Sequence, residues 1–226
     1  MPIDAVLFDV DDTLCRYRRS AAELLSLAFD DVGVEPFFSV EAYHRRYSEF
    51  MPETDGVADL RRECFAAIAE ESGFERDVGY AVADAFAAER DHRDVEPLPG
   101  ALEAVESLGE DHAVGVVTNG DPGMQSQKLE GLGLADAFEV VVHAGYDTAA
   151  KPDPEPFERA LSVLDVSPER AVHVGNSLSS DVAGAHNAGV GSVWLDQGTA
   201  PDPVPHYTLG SMRELRRPPW LTESES

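Results

Sequence analysis

Lysine is almost missing from this chain. Positions 128 and 151 hold the only two, so nearly all of the 17 basic residues are arginine. Basic charge is itself scarce: 17 Lys and Arg stand against 43 Asp and Glu, and 17 − 43 gives the formal net charge of -26. Such a surplus repels a nucleic-acid backbone or an anionic membrane, and neither is expected as a partner. A small anion escorted by a metal ion is compatible with it. Cysteine is scarce too: Cys15 and Cys64 form no CxxC pair and no metal spacing, so both read as small buried side chains. Hydrophobic residues make up 43% of the chain, yet no uninterrupted apolar run approaches the roughly 18 residues that cross a bilayer. No basic leader with a small-residue cleavage site precedes the first strand-like run, and a cytoplasmic address is expected. The seven histidines lack HExxH or comparable ligand spacing. A Gly-x-x-x-x-Gly-Lys loop, a fixed-period repeat and a low-complexity block are all absent.

What is present is acid spread along the whole chain, a pattern similar to proteins of high-salt cytoplasms, where a densely carboxylated surface is screened. Residues 5–10 form a short apolar, β-preferring run of the kind buried on both faces of a parallel sheet. From Ser20 the period changes to that of a helix, with Ser20 and Glu23 as a capping box and Gly33 as the stop. Helical patches at 39–50, 57–72 and 77–92 follow, separated by Pro52, Gly56 and Gly73. They read as an all-helical insert. After Pro97-Leu98-Pro99-Gly100 the pattern becomes βα: strands at 113–118, 138–143, 171–175 and 191–195, a short one at 207–209, and helices at 101–108, 124–132, 154–164 and 181–188. The expected organisation is an α/β core of residues 1–15 and 96–217, a helical cap of 16–95, and a polar, frayed tail of 218–226.

Side chains alternate along a strand, so Asp9 and Asp11 project to one side at the carboxyl end of the first strand, where open α/β sheets bind ligands. Thr118 and Asn119 end the second core strand with a hydroxyl and exposed amides suited to phosphoryl oxygens, although Asn119-Gly120 is also ordinary turn chemistry. Lys151 opens Lys151-Pro152-Asp153-Pro154 ahead of a helix. A point charge there, in a chain that otherwise chooses arginine, would offset nearby carboxylates. Past the fourth strand, His173-Val174-Gly175-Asn176 leads to Asp181, which reads either as a metal ligand or as a helix N-cap.

These four elements in this order resemble the haloacid dehalogenase superfamily over nearly the whole chain. Its Asp-x-Asp-x-Thr motif is met by Asp9, Asp11 and Thr13, its strand-end Thr by Thr118 and its lysine by Lys151. Its acidic Gly-Asp-x-x-x-x-Asp motif is met only in part, by Gly175, Asn176 and Asp181. The turn at Thr118-Asn119-Gly120 followed by Gln127-Lys128-Leu129-Glu130 is similar to the branch holding nucleotidases and flavin-mononucleotide phosphatases.

The resemblance implies a Rossmann-like parallel sheet of order 5-4-1-2-3 with an inserted α-helical cap, and a Mg2+-dependent phosphatase acting on a small phosphorylated metabolite. It makes Asp9 the nucleophile and Asp11 the acid and then the base. Thr118, Asn119 and Lys151 would bind phosphate, and Asp9, Asp11, Asp181 and Asn176 would hold the metal. Asn176 stands where many relatives have an aspartate, so weaker magnesium binding is expected. A 2-haloacid dehalogenase, a phosphomutase and a non-catalytic binding protein on the same fold are the rival readings, and Asp11 argues against the first. Arg18, Arg19, Tyr47 and Arg61 of the cap are candidates to meet the substrate. The sequence leaves the substrate and the oligomeric state open.

Overall fold

This computed structural model describes residues 2–50 and 56–222. Pro52, residues 223–226 and the Tyr47 side chain lie outside the described residues. The chain divides into two compact units, Met1–Arg16 with Val95–Ser226, and Tyr17–Asp94. Among the described residues no helix is long and apolar enough to cross a membrane.

The first unit is built on a parallel sheet. Its strands are β1 (Ala5–Phe8), β4 (Ala113–Asn119), β5 (Val140–Ala144), β6 (Ala171–Gly175), β7 (Gly191–Leu195) and β8 (Tyr207–Leu209), in the order β5-β4-β1-β6-β7-β8. Counted along these core strands alone the order is 6-5-4-1-2-3, which is the expected five-strand order extended by a sixth strand beside the fifth. β1 is fully buried and pairs with both β4 (Phe8↔Val116) and β6 (Phe8↔Val174), as an apolar run with no alternation requires. Helices α5 (Ala101–Gly109), α6 (Pro122–Leu132), α7 (Glu155–Leu164) and α8 (Ala183–Asn187) alternate with the strands. α7 shows why: Phe157, Ala160 and Leu161 recur at helical spacing and join Leu7, Val117 and Val142 in one apolar cluster.

The Tyr17–Asp94 unit consists of α1 (Ala21–Val32), α2 (Val40–Phe50), α3 (Val57–Glu71) and α4 (Arg76–Glu89). The Ser20–Glu23 capping box and the left-handed Gly33 stop are both formed. Leu24, Phe29, Phe65, Val82 and Phe86 anchor its core, and edge-to-face pairs such as Phe38–Phe65 (4.7 Å) and Tyr43–Phe65 (5.1 Å) interlock it. Two short strands, β2 (Cys15–Tyr17) and β3 (Val95–Pro97), pair where the chain passes between the units.

The described part of the expected frayed tail, 218–222, takes a regular form. Residues Pro219–Thr222 form α9, and Trp220 is buried in ring contact with His112 and Tyr207. One large apolar side chain in an otherwise polar stretch carries too much transfer free energy to stay in water.

Candidate active site

β1 lies between β4 and β6, so the residues that end or follow these three strands share the carboxyl edge of the sheet: Asp9, Thr118 with Asn119, and Asn176. This is the switch point where the chain turns from one half of the sheet to the other. Lys151 enters from the loop before α7. Its Nζ donates to Asp9 Oδ1 (2.8 Å), Asp181 Oδ1 (2.6 Å) and the Val117 carbonyl (2.7 Å), which occupies all three ammonium protons. The side chains of Lys151 and Asp181 are 1% and 2% exposed. Burial works against the Lys151 charge, but Asp9 and Asp181 outweigh it and hold the ammonium above its ordinary range. Burial pushes the Asp9 carboxyl up to about 7, with Lys151 opposing and the Asp181 charge adding. For Asp181 burial acts in the same direction, but Lys151 and the His173 hydrogen bond win and keep it well below the usual carboxylate range.

Asp181 is held on all sides. His173, itself buried, has its pKa lowered chiefly by that burial, so the neutral ring donates Nε2–H to Asp181 Oδ1 (3.1 Å). The Ser177 amide donates to Asp181 Oδ2 (2.9 Å). A Cβ at Gly175 would land on the Asp181 side chain, so glycine is what lets this aspartate close against the strand end. The helix expected from 181 begins earlier, in a wide turn over Leu178–Val182 that leads into α8. Ser177 is its N-cap, accepting from the Ser180 amide (3.2 Å), and Asp181 is released from that role to meet Lys151.

Asp11 sits in a tight loop in which the amides of Thr13, Leu14 and Cys15 converge on the Val10 carbonyl (3.3, 2.9 and 3.2 Å). Asp12 takes the left-handed conformation (φ 55°) that the turn needs and that aspartate tolerates. The Asp11 carboxylate is gripped from α6: Lys128 Nζ donates to Oδ1 (2.6 Å) and Oδ2 (2.8 Å), and Gln125 Nε2 to Oδ2 (2.8 Å). Gln125 and Lys128 are three residues apart on one helix face, and a Cβ at Gly120 would collide with the Gln125 amide. Sequence reading did not place either residue in the site. The available signal was the lysine count, which singles out Lys128 as much as Lys151.

Thr118 is enclosed at 1% exposure beside this group. The Asn119 side chain clasps the Lys151 main chain, donating to the carbonyl (3.0 Å) and accepting from the amide (2.8 Å). It thereby fixes the lysine. Asn176 Oδ1 accepts from Thr13 Oγ1 at 3.4 Å. In the helical unit Arg18 pairs with Asp94 (3.6 Å) and Arg19 with Glu89 (2.9 Å), so both are engaged within that unit.

The donors suit magnesium by chemistry. They are all hard oxygens, the Asp9 and Asp181 carboxylates, the Asn176 amide and the Asp11 carbonyl, and an ion that keeps several waters does not require a full protein cage. Both Asp181 oxygens already accept protein hydrogen bonds, and Asn176 Oδ1 has one long one. No cluster of three His, Cys, Asp or Glu arranged for a metal occurs among the described residues.

An enclosed carboxylate and ammonium thus lie at the switch point of a parallel sheet, with a second carboxylate held on its own lysine two residues further on. The chain belongs to the haloacid dehalogenase-like hydrolases, whose family profile matches residues 3–189. It is 32% identical to a phosphoserine phosphatase of Thermus thermophilus, over 93% of this chain and 96% of that protein. Among solved structures, a 2-haloacid dehalogenase from Pseudomonas syringae superposes with a TM-score of 0.70 at 29% identity, covering 99% of this chain and 100% of that one. The HAD-hydrolase YfnB of Bacillus subtilis, a structure bound to magnesium, shares the fold with a TM-score of 0.73 at 23% identity, over 95% and 97% of the two chains.

Proposed function

We propose that this hydrolase cleaves a small phosphomonoester through a covalent aspartyl-phosphate on Asp9. The observation that carries the reading is the second carboxylate: Asp11 stands two residues from Asp9 and is fixed by Lys128 and Gln125. With Asp9 Oδ1 taken by Lys151, Oδ2 is the atom that attacks phosphorus. The ester P–O bond breaks as Asp11 gives its proton to the leaving oxygen. Asp11 then takes a proton from water, the hydroxide attacks phosphorus, and the acyl-phosphate P–O bond breaks to release phosphate and restore Asp9. Phosphoryl transfer through a loose transition state asks mainly for positioning and neutralised charge, which Lys151 and the Thr118 strand end supply. Magnesium would be held by Asp9, the Asp11 carbonyl, Asn176 and Asp181, and when bound supplies positive charge at the phosphoryl oxygens. The structural likeness to a 2-haloacid dehalogenase keeps halide displacement as the second reading. A proton-donating Asp11 has no task there, since halide leaves without a proton.

The test is turnover of p-nitrophenyl phosphate with Mg2+ by wild type and Asp9→Asn. Wild type should release phosphate and carry a phosphate adduct on the peptide containing Asp9, and the variant should do neither. Full activity in Asp9→Asn overturns the covalent route, and halide release from 2-chloropropionate without phosphatase activity establishes the rival.

A further inference from the structure

Arg61, on α3, is the one buried arginine among the described residues, 8% exposed. Its neighbours in the helical unit are matched with acid: Arg46 with Glu71, Arg62 with Asp84 and Arg76 with Glu63. Arg61 makes no hydrogen bond or ion pair among the described residues, and its Nε is wholly enclosed without an acceptor. What it does have is the Phe86 ring, 5.0 Å from its guanidinium carbon. Arg90 is drawn to the same place, 5.6 Å from the Phe86 ring and 4.1 Å from that of Tyr17, with Nη1 donating to the Arg19 carbonyl (3.0 Å). Two guanidinium groups thus share one ring in a chain with 43 Asp and Glu, and among the described residues no carboxylate is bonded to Arg61. A ring face returns less than the water a buried guanidinium gives up. Burial, together with the charges of Arg61 and Arg19, pulls the Arg90 pKa down against the pull of Tyr17. A buried cation in this condition lacks an anion that folding does not supply.

We propose that Arg61 and Arg90 form an anion-binding site inside the helical unit, matched to a carboxylate or phosphate group. The planar fork of a guanidinium grips either group through paired N–H donors, and the Phe86 and Tyr17 rings fix the planes of the two forks. The occupant is a small anion taken up from solution, and the site does not depend on the phosphatase reading above.

Wild type and Arg61→Met, both full chains at one KCl concentration, test the site. In thermal unfolding, added malonate should raise the midpoint of wild type and leave that of Arg61→Met unmoved. An identical malonate response in the two proteins overturns the site. Should Arg61→Met not fold, Arg90→Met at the half-buried partner gives the same readouts.

Discussion

A lysine ammonium carries three donors, and this chain's two lysines spend theirs on different aspartates: Lys151 on Asp9 and Asp181, Lys128 on both oxygens of Asp11. Lys128→Met should therefore leave Asp11 present but unaimed. Acid catalysis matters in proportion to how poor the leaving group is, so turnover of an alkyl phosphate should fall on the order of 100-fold while 2,4-dinitrophenyl phosphate is hydrolysed nearly as before. Equal losses on both substrates would mean Lys128 does no more than support the fold. Asp9, Asp11, Thr118, Lys151 and Asp181 were legible because each ends or follows a readable strand. Lys128, Gln125 and His173 were not, since a residue inside a helix or strand acquires a role only through what the fold sets opposite it. Asn176 was legible as a departure, and it carries its own test. Asn176→Asp keeps an acceptor for Thr13 and adds a negative charge at the sheet edge that β1 and β6 share. Without magnesium the variant should unfold at a lower temperature than wild type; with it, half-maximal activity should need several-fold less Mg2+. An unchanged metal requirement would show that the amide costs nothing.

At the scale of elements, the long periodic segments were read to within a few residues. α1 carries its own caps in sequence, and the buried strands are apolar runs bounded by turn residues. What escaped has a common cause. β2 and β3 are three residues each, too short to show a period, and exist only because they pair with each other. β8 was read as a strand, but its seat at the edge depends on non-local bonds: the His206 amide donates to Ser192 Oγ (3.0 Å) and the Ser192 amide to His206 Nδ1 (3.1 Å), tying its approach to β7. α9 was hidden by the charged residues before it, and its contribution is measurable. Trp220→Ala removes an indole that is 4% exposed, so the variant should lose about 3 kcal/mol in denaturant unfolding. A loss within about 0.5 kcal/mol would mean the segment is held by its backbone alone.

For the molecule as a whole, the opposing electrostatic effects can be ranked. Exposed pairs such as Arg19–Glu89 and Arg76–Glu63 contribute about 0–1 kcal/mol each and weaken as salt is added. The 26 negative charges in excess repel one another across the folded surface, and that repulsion also weakens as the Debye length drops from about 10 Å at 0.1 M toward 3 Å at 1 M. The two responses have opposite sign. A pair needs two ordered side chains in contact, whereas repulsion acts among all the unmatched carboxylates at once, so repulsion should dominate here. Thermal unfolding should therefore shift upward between 0.1 M and 2 M KCl by at least about 2 °C, the displacement that about 1 kcal/mol produces in a chain of this size. Most of the rise should come below about 1 M, where screening is still changing. A flat or falling midpoint would mean that the arginine pairs outweigh the surplus acid, and the high-salt reading of the composition would have to be given up.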